Sequence, residues 1–400
     1  MTHHDSHASL PHVGRTFTIV VFICTLVAFV VESEMTQYVQ TTLGFRKPFF
    51  IFFVVHSAFA IIFPLHVLYL KVASTSSTTS LLRSLSLALR EQMRVPSNAR
   101  FPTARFISLI MVLMVACNLP GMLWFAAVTM ASVSDVTAIW NTNAFFSYLI
   151  SVKVFHLRWE ARRLFAVVLA TVGVLVVVYG GHKSSKSSSS SGPSTNTVPG
   201  PTAPLIGDLI TLAASIGYAL YQVMYKKYAA LPSDPERAEY EPLLEEEVFD
   251  TADPEVVQAD EVRALKDADV TPPLPFGFHP NFLTSTIGVS TALVMWIIFP
   301  ALHFLDIETF VFPTRLATLG GIAAIALSGV IFNSGFMILL AMWGPVMTSV
   351  GGLLTIVLVF IADILWGAGL QAVSIGGVVG SCIILLAFTI LASDLVRAST

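Results

Sequence analysis

The sequence predicts an all-α membrane protein of ten transmembrane helices, arranged as two five-helix repeats that enter the bilayer in opposite senses. Three observations predict it. Hydrophobic residues make up 55% of the 400 and charged residues only 12%, about half the roughly 25% charged share of an ordinary globular chain. The apolar residues are gathered into runs near the roughly 20 residues that carry a helix across a bilayer. A Ser- and Pro-rich stretch divides those runs five and five, and an odd number per half inverts the second half. A soluble enzyme and a nucleic-acid binder are excluded by this composition, so the partners expected are the lipid bilayer and a small molecule.

Residues 1–15 are expected as a cytosolic tail; His3, His4, His7 and His12 read as a solvated segment or a metal binder. The apolar stretch after it is too long for a cleaved signal. The first repeat, 16–181, holds spans at 16–38, 49–70, 106–129, 133–155 and 163–180. Its continuous apolar character favours helices over barrel strands, since lipid demands a closed hydrogen-bonding pattern. Residues 182–204 form a flexible Ser/Pro-rich linker. The second repeat, 205–393, holds spans at 205–229, 282–304, 316–340, 345–366 and 371–393, and residues 394–400 are a second cytosolic tail. It is interrupted at 230–280 by an insert with 14 acidic and three basic residues, expected to be disordered.

Lys and Arg are in excess in cytosolic loops. With the N-terminus inside, 17 of the 22 fall on the inner side and five on the outer, so both termini are expected in the cytosol. Cys24, Cys117 and Cys382 all lie in apolar runs and suggest no disulfide framework.

Polar residues within the spans are the candidate substrate or ion path. Asn118 to Gly121 and Asn333 to Gly335 are expected to break spans three and eight at corresponding places, a pattern that in transporters marks the midplane site; tight helix packing explains them equally well. Glu32 and Glu34 stand two apart on different faces of span one, and a carboxyl inside a span can bind and release a proton, as proton coupling requires. His56 and His66 on span two are cavity residues or helix-to-helix hydrogen bonders. Asn141, Asn143, Trp140 and Tyr148 on span four, with Tyr218, Tyr221 and Gln222 on span six, offer rings and amides suited to a ring-bearing metabolite. Lys153 and Asp363 become rough counterparts at an offset of about 210 residues between the repeats; each faces a path or simply sits at the interface. Gly376 and Gly380 permit close helix approach or a homodimer face. No metal-ligand spacing or nucleophile elbow appears in the spans, so no cofactor, metal or enzymatic role is expected.

Together these stretches resemble the drug/metabolite transporter superfamily, and within it the F branch of solute carrier family 35. The resemblance rests on Thr36 to Val39 with Lys47 to Phe50, Asn118 with Ala131 to Ala138 and Phe145–Phe146, and Leu164 to Tyr179. In the second half it rests on Gly207–Asp208, Tyr225 to Lys227, and Pro345 with Ile361 to Asp363. It implies a ten-helix inverted-repeat carrier of an organic metabolite. A cationic or neutral substrate such as thiamine is favoured, because the lysine motifs of nucleotide-sugar carriers are sparse here. A nucleotide-sugar-type antiporter and a non-transporting scaffold or receptor stay open as alternatives. Glu239, Leu243 and Leu244 have the form of an acidic dileucine sorting motif for an adaptor at 239–244, which implies an endomembrane site, vacuolar or lysosomal before Golgi.

Overall fold

The computed structural model describes residues 15–73, 77–95, 99–131, 133–156, 159–185, 203–231, 274–358, 361 and 375–398. Among these residues the chain is helical without a strand. Its helices are α1 (Arg15–Gln37), α2 (Pro48–Ala58), α3 (Ile62–Ala73), α4 (Thr78–Gln92), α5 (Thr103–Ala127), α6 (Val133–Trp140), α7 (Asn143–Val154), α8 (Ala161–Ser185), α9 (Pro204–Tyr228), α10 (Phe278–Val294), α11 (Ile298–Phe304), α12 (Leu316–Gly352) and α13 (Ile375–Ala398). Among the described residues six helical stretches are long and apolar enough to cross a membrane: Thr18–Thr42, Pro48–Ala73, Thr103–Ala127, Leu205–Tyr228, Phe278–Phe304 and Leu316–Leu358. The protein is therefore a helical integral membrane protein. The broad band of exposed side chains such as Ile23, Val27, Leu65, Leu68, Val112 and Leu293 is what such helices turn to lipid.

Several elements differ from expectation. Span four is two helices, because three successive side chains bond carbonyls of the turn before them. Asn141 Nδ2 donates to Thr137 O (2.7 Å), Thr142 Oγ1 to Ile139 O (2.6 Å) and Asn143 Nδ2 to Trp140 O (2.7 Å). Such side-chain bonds compete with the helical ladder. Asn333 to Gly335 does not break its helix: Asn333 Nδ2 returns to Gly329 O (2.9 Å) and the backbone runs on. Asn118 to Gly121 likewise lies within the continuous α5, which accommodates Pro120. The true break in α12 is at Gly344, whose φ of 70° leaves the helical region just before Pro345. Between α3 and α5, where only a loop was expected, α4 lays Leu81, Leu85 and Leu89 on Phe278, Phe63 and Val67. The α10 helix begins at Phe278 rather than 282, and α8 runs on to Ser185. Asp363, the sorting motif (Glu239, Leu243, Leu244) and most of the linker and acidic insert lie outside the described residues.

The helices pair across the chain: α1 against α12, α9 against α5, and α8 against α13. The α2–α3 stretch bends through a 3-10 turn at Phe59–Ile61, where α10 presses its Gly288 against the turn's backbone. A Cβ at Gly288 would collide with Ala60 N and come within 2.8 Å of Phe59 C, neither of which can swing aside. Gly288→Ala is expected to destabilise the fold by about 3 kcal/mol, the upper part of the overpacking range. Thermal unfolding in detergent measures it; an unchanged midpoint would show that the two helices can part freely.

The loop following α11 closes over the start of α2. Both Glu308 carboxylate oxygens accept from its first free amides, Phe49 N (2.9 Å) and Phe50 N (3.0 Å), and Lys47 Nζ donates to Thr309 Oγ1 (2.7 Å). Glu308 is thus the N-cap that α2 lacks in its own sequence. Burial raises the Glu308 carboxyl above its ordinary value near 4.5, while the two amides and Lys47 act the other way. Its contribution to stability is therefore complete below about 4.5 and declines as pH rises through the raised folded value. Glu308→Ala is expected to cost about 1 kcal/mol, as a lost cap does, and to remove that acid-side gain from melting curves recorded between pH 4 and pH 7.

Candidate binding chamber

Two adjoining hollows lie where the helices of the two halves meet. Each is small in this conformation, about 30 Å³ for the first and 40 Å³ for the second, room for a few water molecules. Phe29, Trp140, Tyr218 and Phe332 line both, forming an aromatic partition between them. The Trp140 and Tyr218 rings meet at a tilt of 34° with centroids 4.7 Å apart, and Tyr218 leans on Phe336 at 5.5 Å.

The first hollow is polar on one side, with Thr25 from α1, Asn141 and Asn143 from the α6–α7 break, and Thr348, Ser349 and Thr355 from the stretch after the α12 kink. One hydrogen-bonded line ties three helices together here. Gln222 Nε2 donates to Asn143 Oδ1 (3.3 Å), and the Ser349 hydroxyl lies in very close contact with Gln222 Oε1. The Tyr218 hydroxyl, buried beside this line, has no protein partner among the described residues.

The second hollow holds the acid. Glu32 is only 5% exposed, lines this space, and makes no hydrogen bond or ion pair among the described residues. Its carboxylate is held against α12 because Gly329 has no side chain; a Cβ there would sit 3.1 Å from Glu32 Oε1. The Trp124 indole N–H, on the same wall, has no partner either. A buried polar atom left unmatched costs free energy, so a space edged by several of them favours polar contents over apolar ones.

Opposite the acid, His56 Nδ1 lies 2.7 Å from Asn118 Oδ1, and Asn118 Nδ2 donates to Thr291 Oγ1 (2.7 Å). Because the Asn118 amide donates to Thr291, its oxygen must accept, which puts the proton on His56 Nδ1 and leaves Nε2 as an acceptor. Nε2 packs at Gly121, where a Cβ would come within 2.8 Å. A second clamp spans α3, α10 and α12. Ser334 Oγ donates to Asn281 Oδ1 (2.8 Å), and Asn281 Nδ2 therefore donates to His66 Nδ1 (2.9 Å).

The structure brings Glu32, His56, Asn118, Asn141, Asn143, Tyr218, Gln222 and Asn333 to the two hollows or to the bonds that frame them. Glu34 is half-buried and Lys153 is exposed at the end of α7; neither lines the hollows. Residues missed in the sequence are Thr25, Trp124, Thr291, Ser349 and Lys226. Lys226, counted from sequence as a cytosolic charge, is 2% exposed, and its Nζ donates to Ala341 O (3.2 Å). Pro345 stands four residues after Ala341 and has no N–H to offer that carbonyl, so the lysine supplies the missing donor at the C-terminal end of the helix before the kink.

No protein-family model and no curated protein matches the chain. Among solved structures, one described only as "Crystal structure of protein" superposes on 97% of this chain and 100% of its own, with a TM-score of 0.54 and 12% identity. At that identity the likeness is one of fold, and it extends along nearly the whole chain.

Proposed function

We propose that the protein is a multi-pass transporter of a small organic metabolite, working by alternating access between two inverted five-helix repeats, 16–181 and 205–393. The observation that carries this reading is Glu32: one unpartnered carboxylate, buried, at the edge of an aromatic-walled space between the halves. A membrane interior tolerates such a group where it serves an ion or substrate. An anionic group among Trp, Tyr and Phe rings complements an organic cation, held by charge and by the ring faces together. A cationic or neutral substrate such as thiamine is therefore favoured, with Glu32 exchanging a proton for it.

The helix pairing supports the inverted repeat. If α1 corresponds to α9, α5 to the first part of α12, and α8 to α13, then the α1–α12 and α9–α5 contacts become copies of one another and α8–α13 maps onto itself. The two close approaches follow the same exchange: Gly217 of α9 meets Pro120 of α5, and Gly335 of α12 meets Thr25 of α1. Lys153, exposed at the end of α7, offers nothing to a nucleotide-sugar phosphate in these hollows. Cytosolic termini, a vacuolar or lysosomal membrane, a sorting adaptor at 239–244 and a homodimer through Gly376 and Gly380 belong to the same proposal.

Purified protein in liposomes, given labelled thiamine, nucleotide sugars and basic amino acids under an imposed pH gradient, tests it. Saturable uptake of one of them, reduced by Asn118→Ala, is the expected result. Absence of uptake of every substrate by folded protein would favour a scaffold or receptor of the same fold.

A further inference from the structure

From residue 71 to 105 the chain carries six basic residues and one acidic residue, Glu91. Arg90 is used internally: its guanidinium lies over the Phe101 ring and donates to Ala99 O (2.6 Å), which fastens the α4–α5 connection. The other five, Lys71, Arg83, Arg94, Arg100 and Arg105, are exposed, and none is in an ion pair among the described residues. The placement of α4 gives these charges a common level. At 15 residues it is about 22 Å long, too short to cross the roughly 30 Å hydrocarbon core, and its apolar face is already committed to α3, α5 and α10.

The helices on either side show where the bilayer ends. The last turns of α3 expose Leu65, Leu68 and Tyr69 and then Lys71 beside Val72, while on α5 exposed Ile107 follows exposed Arg105. In both, the passage from apolar to cationic surface occurs where α4 joins the bundle, at the depth of lipid headgroups.

We infer that α4 and its flanks form a binding surface for the anionic headgroups of one membrane leaflet, with Arg83, Arg94, Arg100 and Arg105 as its phosphate contacts. This rests on the protein spanning a membrane and is independent of transport. Basic clusters on a short amphipathic helix beside a span attract anionic lipid, and guanidinium matches a phosphate with paired donors. The rival occupant is the chain's own acidic segment, 232–273, whose flanks reach this helix: Gln92 Nε2 donates to Tyr228 O (2.7 Å), and Leu274 packs in the cluster of Leu81, Leu85 and Leu89.

The test is native mass spectrometry of the full chain offered equal amounts of phosphatidylserine and phosphatidylcholine. At least a fivefold excess of bound phosphatidylserine is expected, falling to parity in R83Q/R94Q/R100Q/R105Q. Should that variant not fold, the pairs R83Q/R94Q and R100Q/R105Q are each expected to lower the excess. Equal retention of both lipids by the native chain, or an undiminished excess in folded variants, would overturn the inference. An excess that emerges only once the 14 acidic residues of 232–273 are neutralised would overturn it too, assigning the surface to that segment.

Discussion

Glu32→Gln is expected to lower substrate uptake by at least about a hundredfold and to flatten its dependence on pH. The substitution keeps the side chain's size and its contact with Gly329 but removes the one carboxylate that lines either hollow among the described residues. A cation bound there would lose its counter-charge in a desolvated place, a deficit of about 3–5 kcal/mol for breaking one partner of a buried pair. At 1.4 kcal/mol per tenfold, even the lower end of that range exceeds two orders of magnitude. Glu32→Asp keeps the charge and withdraws it by one methylene, so reduced uptake with a retained pH profile is expected. Counterflow in proteoliposomes at several fixed pH values separates the arms, since it needs no net driving force. If Glu32→Gln left both the rate and the pH profile intact, Glu32 would have no part in binding or coupling, and the aromatic partition would have to act on a neutral guest.

Much of this arrangement was legible in the sequence, because the bilayer imposes strong rules on composition. Apolar runs located the long helices, and Gly344, where the helical path does break, lies in the gap between the spans expected at 316–340 and 345–366. The rarity of ionisable groups in spans pointed to Glu32 and His56, and both line the second hollow. What escaped was set by contacts between distant segments. The break at Asn141 and Thr142 follows from side chains folding back on Thr137 and Ile139, a choice that no hydropathy profile reports. At Asn333 the same bond to the carbonyl four residues back leaves the helix whole; the difference is in the next residues, since Ser334 bonds across to Asn281 whereas Thr142 and Asn143 bond carbonyls three residues back. The α4 helix was overlooked because Ser, Thr and Arg dilute its apolar positions, although Leu81, Leu85 and Leu89 recur every four residues as a buried helical stripe would. The burial of Lys226 escaped because two adjacent lysines at the end of an apolar run give no sign that one of them is folded into the protein.

Lys226→Met is expected to loosen the closure between α9 and α12 and to expose the polar stripe Asn143, Ser147 and Ser151 on α7. Pro345 withholds an N–H from Ala341 O, and the kink at Gly344 turns the chain away, so the carbonyl depends on the lysine. The ammonium also stands at the negative end of the helix, where a cation is favoured. Methionine matches the length of the stem but donates nothing, leaving a buried carbonyl without that bond at a cost of about 1–3 kcal/mol. If this contact holds one conformation closed, that cost appears as a shift in population of about tenfold. Ser151, whose buried hydroxyl has no partner among the described residues, provides the reporter: as Ser151→Cys in a background without Cys24, Cys117 and Cys382, it is expected to react with maleimide about tenfold faster once Lys226 is methionine. Pro345→Ala gives the control, since it returns an N–H to that carbonyl. The cost of Lys226→Met should then shrink, a coupling that a double-mutant cycle measures. Identical labelling rates with and without the lysine in folded protein, or two effects that simply add, would mean that Lys226 only fills space between the helices.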